Sequence, residues 1–270
     1  MKKTLLALAA FTVVAGCQVT KSPTGRTQAL MYSNADMSTL GAQSFDEMKK
    51  KEKIVTDPRV NSYVGCIADA ITANVDASYG VKSWEVVVFD SPQINAFALP
   101  GGHIGVYTGL MKVATTADQL AAVMGHEVGH VLANHSNERL SRNQLTNMGM
   151  QIAGGAFDLA GINPQDKQLY MQGLGLGAQY GVAMPFGRKQ ESESDEIGLD
   201  LMAKAGFEPQ ASVTLWQAMA KASGGNQPME FLSTHPSNER RIKDLTKNMS
   251  AANALYNQAV SAGKRPNCKL

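Results

Sequence analysis

The 270-residue sequence predicts an α+β fold, rich in helix and holding one small sheet. Three observations carry this. Apolar residues recur at helical spacing through most of the chain, as in Val60, Val64, Ile67, Ala68 and Ile71. After the leader, strand signals are few: a β-branched and aromatic run at residues 84–89 and a possible strand at residues 103–107. The composition, 44% hydrophobic and 18% charged, is that of a globular chain and excludes wholesale disorder, collagen and coiled coil. The length allows one or two domains with a sizeable core.

Residues 1–16 read as a lipoprotein signal peptide. Lys2 and Lys3 form its positive start, and residues 5–15 are apolar and uncharged. That stretch is shorter than the roughly 20 residues of a membrane span. It ends in Val14-Ala15-Gly16-Cys17, which resembles a bacterial lipobox. Cys17 is therefore expected to carry lipid as the first mature residue and to hold the chain at a membrane. Gln18 follows where Asp would favour the inner membrane, so the expected location is the outer membrane, facing the periplasm. The formal charge of +2 belongs to this leader. Without Lys2 and Lys3, 23 basic residues balance 23 acidic ones. Electrostatic attraction to nucleic acid then has no compositional support.

Residues 17–43 mix Ser, Thr, Gly, Pro and Gln and are expected to be the lipidated Cys and a tether. One domain is expected over residues 44–270. Helical character begins at Ser44. Asp57-Pro58 then opens a helix, with Asp as cap and Pro in the first turn. Residues 84–89 read as a strand. Residues 94–110 carry turn signals at Pro100-Gly101-Gly102 and Gly109 around a possible strand at residues 103–107. In an oxidising periplasm, Cys66 and Cys268 are expected to form a disulfide, the alternative being two buried thiols.

Residues 116–134 are the clearest helix, and Thr116 with Gln119 matches a capping box. Residues 143–190 include nine glycines, and residues 168–187 hold no charged side chain. Five glycines, three glutamines and Pro185 in that stretch make a poor lipid-facing span, so closely packed small-residue helices and a mobile loop are expected. Further helices are expected at residues 190–205, closed by Gly206, at 209–221 and at 237–249. Residues 223–226 read as a loop.

The chemistry is concentrated in His126-Glu127-Val128-Gly129-His130. Residues i and i+4 share a helix face, so both imidazoles can chelate one Zn²⁺. Glu127 lies about 100° further round, where its arm can reach a metal-bound water as general base. Glu191 is the candidate third ligand and Asp195, four residues on, the carboxylate that would orient a ligand imidazole. Helix geometry alone leaves open a charged surface stripe at a helix start. Glu193 and Glu196 are expected in solvent, and His103 and His135 to be structural or exposed. The 14 methionines read as core filler. No phosphate-binding loop, dinucleotide fingerprint or nucleic-acid module is present in the sequence.

The two motifs together resemble the gluzincin arrangement. Asn95-Ala96-Phe97-Ala98-Leu99-Pro100-Gly101-Gly102-His103-Ile104, and Thr234-His235-Pro236 followed by Arg241-Ile242, resemble signatures of metallopeptidase family forty-eight, which includes the prenyl-protein (CAAX) protease. The likeness covers residues 44–250. It implies a helix-rich zincin domain binding one zinc through His126, His130 and Glu191, with Glu127 as base and Asp195 supporting a ligand. His235 and Arg241 are implied near the metal, stabilising the oxyanion or regulating access. Gly101, Gly102, His103, Ile104, Gly105 and Val106 are implied as the edge strand that pairs with substrate backbone. The implied function is a zinc-dependent endopeptidase acting on unfolded or misfolded proteins of the cell envelope through zinc-bound water. The alternative is a chaperone-like quality-control factor for outer-membrane proteins with weak or gated proteolysis. A zinc hydrolase for non-peptide bonds fits an edge-strand signature less well.

Overall fold

The computed structural model describes residues 18–179, 184–222, 235 and 239–270. In chain order the described elements are β1 (Gln18–Lys21), β2 (Thr27–Leu30), α1 (Asn34–Lys51), α2 (Pro58–Thr72), β3 (Glu85–Phe89), β4 (Ala96–Leu99), β5 (His103–Tyr107), α3 (Ala117–Leu132), α4 (His135–Leu159), α5 (Pro164–Ala178), α6 (Met184–Ala205), α7 (Gln210–Ala222) and α8 (Glu239–Ser261). The α+β class is as the sequence predicts. The chain divides into two compact units, Met1–Ser33 with His135–Gln190, and Asn34–Asn134 with Glu191–Leu270.

The second unit holds the sheet and most of the core. Asp57 caps α2 by accepting from the Arg59 amide at 2.9 Å, and Pro58 sits in the first turn. Tyr63, Val64, Ile67, Ala68 and Ile71 form the buried stripe of α2. The Cys66–Cys268 disulfide is present and closes 202 residues of sequence. Thr116 caps α3, accepting from the Gln119 amide at 3.2 Å. The Gln119 side chain returns to the Thr115 amide rather than to that of Thr116. Twelve of the sixteen α3 residues are buried, so this helix is surrounded rather than amphipathic. It packs on β4, α2 and α7.

The sheet order is β3-β5-β4, with β3 and β5 parallel and β4 and β5 antiparallel. This corrects one expectation. The segment Gly101, Gly102, His103, Ile104, Gly105 and Val106 does not supply an edge: from His103 onward it is the central strand, paired on both sides. The reason is a short turn. Gly101 and Gly102 take φ of +94° and +96°, which folds the chain back so that Ala96–Leu99 pairs with β5. Among the described residues, β4 has no backbone partner on its other side. The far side of β3 is partly bound by the Lys53 and Val55 backbone.

Two further expectations are corrected near the start of the chain. Residues 18–30, read as irregular tether, form a hairpin, and helix begins at Asn34 rather than Ser44. Ser22-Pro23-Thr24-Gly25 is its turn, with the Gly25 amide donating to Ser22 O at 2.9 Å. The hairpin is held on α4. Arg26 makes a bidentate pair with Glu138 at 2.6 and 2.7 Å, Gln28 donates to Glu138 at 3.0 Å, and the Met31 amide donates to Ser141 Oγ at 2.9 Å. The glycine-rich region does form helices, α4 and α5. Its glycines are not packing contacts throughout, however: Gly149, Gly155, Gly173 and Gly177 have no neighbouring atom where a Cβ would stand. The loop at residues 223–226, the start of the helix expected at residues 237–249, and residues 1–17 lie outside the described residues.

Candidate metal centre

The site is assembled in the second unit from α3, α6, α7, α8 and His235. Two helices must first come very close. A Cβ on Gly125 would stand 2.7 Å from Gly198 O, and one on Gly198 would stand 2.6 Å from the His126 amide nitrogen. A Cβ on Gly129 would meet Ser194 O at 3.0 Å. Small residues four apart on α3 and again on α6 thus let the helix backbones touch. Short side chains at 125, 129, 194 and 198 are a sequence signal that the ligand motifs alone do not reveal.

That approach places the ligands. His126 Nε2 lies 3.1 Å from His130 Nε2 and 3.3 Å from both Glu191 Oε2 and His235 Nδ1. His235 Nδ1 lies 2.9 Å from Glu191 Oε2, and His130 Nε2 3.5 Å from Glu191 Oε1. All four residues are buried, and one donor atom from each lies within 4.8 Å of the others. Zinc bonds of about 2.0–2.1 Å in a tetrahedron set ligand atoms about 3.3–3.4 Å apart. The spacing and the two-element donor chemistry therefore fit a zinc ion. Electrostatics agree. Burial and the Arg241 charge oppose protonation of His126, yet Asp195 and Glu191 outweigh them and raise its pKa to about 9. The centre favours positive charge. Burial likewise opposes ionisation of Glu191, but hydrogen bonds from His126 and His235 hold its pKa far below the usual range.

Asp195 sits one turn beyond Glu191. His126 Nδ1 donates to its Oδ1 at 3.0 Å, which frees Nε2 for a cation. Arg241 grips the same carboxylate, Nε to Oδ2 at 2.7 Å and Nη2 to Oδ1 at 2.6 Å. Its guanidinium carbon lies 3.7 Å from the centre of the Trp216 ring. Arg241 is 2% exposed. It is directed at Asp195, with Nη1 also 3.2 Å from Glu191, and so braces the carboxylates. Trp216 lies within the helix expected at residues 209–221. A ring under a buried guanidinium is not legible from helical spacing.

Glu127 is 3% exposed, and among the described residues its Oε1 has no hydrogen-bond partner. The nearest basic atom is His235 Nε2 at 3.5 Å. An ionisable oxygen buried without a partner beside a metal-binding cluster is placed to take a proton from something bound there. Of the other acids, Glu196 is exposed as expected, but Glu193 is buried rather than in solvent, because α6 is enclosed over this turn. His103 lies 3.2 Å from Glu85 and His135 is buried, both away from the cluster.

Comparison with known proteins gives a consistent set of likenesses. The model of peptidase family M48 matches residues 58–249. The mitochondrial metalloendopeptidase OMA1 of Schizosaccharomyces pombe is 37% identical over 163 residues, covering 60% of this chain and 45% of that protein. The metalloprotease LoiP of Escherichia coli is 30% identical over 256 residues, covering 92% of this chain and 96% of that one. The beta-barrel assembly-enhancing protease of Yersinia pestis is 29% identical over 204 residues, covering 73% and 40%. The chain spans about half the length of the OMA1 relatives.

Proposed function

The chain belongs to peptidase family M48, and from that premise we propose that it is a zinc-dependent endopeptidase of the cell envelope that cleaves unfolded or misfolded polypeptides. The observation that carries this is the four-donor cluster with the unpartnered Glu127 oxygen beside it. When bound, zinc supplies Lewis-acid polarisation of a carbonyl and makes water more acidic. His126, His130 and Glu191 would hold it. Glu127 Oε1 accepts the proton of the attacking water and delivers it to the departing amine. Asp195, fixed by Arg241, keeps the His126 ring oriented.

Backbone pairing of the substrate is assigned to β4, which lies against α3 and has a free side. Asn95 O accepts from the Tyr107 amide, so the hydrogen-bonded pairs are at 95, 97 and 99. The backbone groups of Ala96 and Ala98 then point away from β5. His235 regulates access. Its Nδ1 lies with the other three donors, and a metal held by all four residues would have a closed site. Opening requires His235 to withdraw. The lipid expected on Cys17 would place this activity at the outer membrane, facing the periplasm.

The test uses the full chain. Metal analysis is combined with cleavage of a denatured, dye-labelled casein, with and without chelator. One zinc per chain is expected, with activity lost to chelator and restored by zinc. Glu127→Gln should retain zinc and lose turnover by a factor of about 10² or more. Undiminished cleavage by that variant would sink the mechanism.

A further inference from the structure

We propose that the uncharged outer faces of α4 and α5 lie on a phospholipid bilayer, beside the lipid expected on Cys17; this rests on the lipid-anchor reading of that cysteine. On α4, Leu145, Gly149, Ile152, Ala156 and Leu159 recur at spacings of four and three and share one face. Ile152 is 63% exposed and Leu159 86%. On α5, Leu169, Leu174 and Leu176 are exposed as well. The two helices use other sides for each other: Lys167 and Met171 approach Gly154, Met150 approaches Gly175, and the Phe157 and Tyr170 rings lie 5.6 Å apart. Residues 143–157 and 168–187 contain no charged side chain. Charge is gathered where the two helices join, at Asp158, Asp166 and Lys167, and so large an apolar surface beside it is unusual for a face left in water.

The position of the anchor selects the occupant. Cys17 directly precedes Gln18, which pairs with Leu30, and the Met31 amide donates to Ser141 on α4 at 2.9 Å. Neighbouring strands lie about 4.8 Å apart. The acylated residue is thus one position beyond a strand pair fastened to α4, one turn before Leu145. No tether separates lipid from helix, because the residues expected to form it are the hairpin itself. Tethering at such short range gives the bilayer a far higher effective concentration at these helices than any dissolved partner. No helix among the described residues is long and apolar enough to cross a membrane, so the faces rest in the interface rather than span it.

With Cys17 acylated and Cys66 bonded to Cys268, a single introduced cysteine is the one free thiol of the full chain. Ile152→Cys, Leu159→Cys and Leu176→Cys are labelled with a fluorophore, with Asp69→Cys on α2 as control. The lipidated protein is reconstituted into phosphatidylethanolamine–phosphatidylglycerol vesicles, with or without bromine on the acyl chains. Quenching by brominated lipid at all three positions, about three-fold or more above that at Asp69, is expected. If the protein floats with the vesicles but the probes stay unquenched, the bilayer proposal fails and the anchor stands. If it does not float, the anchor reading fails and the proposal with it. If the probes instead shift with protein concentration and ignore brominated lipid, a second copy covers these faces and the proposal is overturned. Casein cleavage by the same samples reports on the peptidase reading separately.

Discussion

At the scale of single residues, the centre depends on side chains that are absent as much as on those that bind. Gly198 leaves room for the His126 backbone, and Gly125 returns the favour. Gly198→Ala forces α3 and α6 apart, an overpacking cost of about 1–3 kcal/mol. The expected outcome is a lower melting temperature together with weaker zinc retention. A variant that melts earlier but keeps zinc as tightly would show that the helix contact is not what sets the ligand geometry. His235 gives the opposite kind of prediction. His235→Ala removes one of four donors and leaves the ligand set His126, His130 and Glu191. Zinc should remain, and cleavage of a short unstructured peptide should rise several-fold as the closed fourth position opens. A fall in peptide cleavage with zinc intact would mean that His235 stabilises the reaction rather than shutting it off. His126, Glu127 and His130 were readable because one helix turn fixes their relation. Arg241 on Trp216, and the burial of Glu193, were not, because they depend on which helices meet.

Individual elements divide along the same line. α2 and α3 announce themselves through Asp57-Pro58 and Thr116 because caps are local chemistry. Residues 103–107 formed the strand that their β-branched and aromatic content predicts. β4 is not legible as a strand because Ala96-Phe97-Ala98-Leu99 has weak strand propensity; the edge role of residues 101–106 rested on the family resemblance alone. If β4 receives substrate, a peptide bound to the Glu127→Gln chain should slow hydrogen exchange at the Ala96 and Ala98 amides by about ten-fold or more. The Ile104 and Val106 amides, already inside the sheet, should not change. Protection that spares Ala96 and Ala98 would place the peptide elsewhere. The β1–β2 hairpin escaped for another reason: its stability comes from Glu138, more than a hundred residues away. Burial raises the Glu138 pKa, but hydrogen bonds from Arg26, Gln28 and Gln190 lower it further, so the net shift is downward. Its contribution is therefore full above the unfolded carboxyl pKa, about 4.3, and fades as pH falls through the folded value. Glu138→Gln should lower the melting temperature at pH 7, with the gap from the parent chain closing under strongly acid conditions. A gap independent of pH would assign the loss to packing instead.

For the molecule as a whole, the sequence carries the α+β class, one buried metal centre and family membership, since these rest on short strings of fixed spacing. The division into two units was not readable, because each unit is built from two separated stretches of chain. The disulfide, expected from two cysteines alone, has a consequence of its own for a proteolytic enzyme. His126, Glu191, His235 and Arg241 all fall inside the ring closed by Cys66 and Cys268. A self-inflicted cut at any one exposed peptide bond within that ring leaves a single covalent body. The fragments cannot diffuse apart, and the ligands they carry stay at high mutual concentration. Such a protease can survive a single nick within the ring until a reductant or a second cut releases a piece.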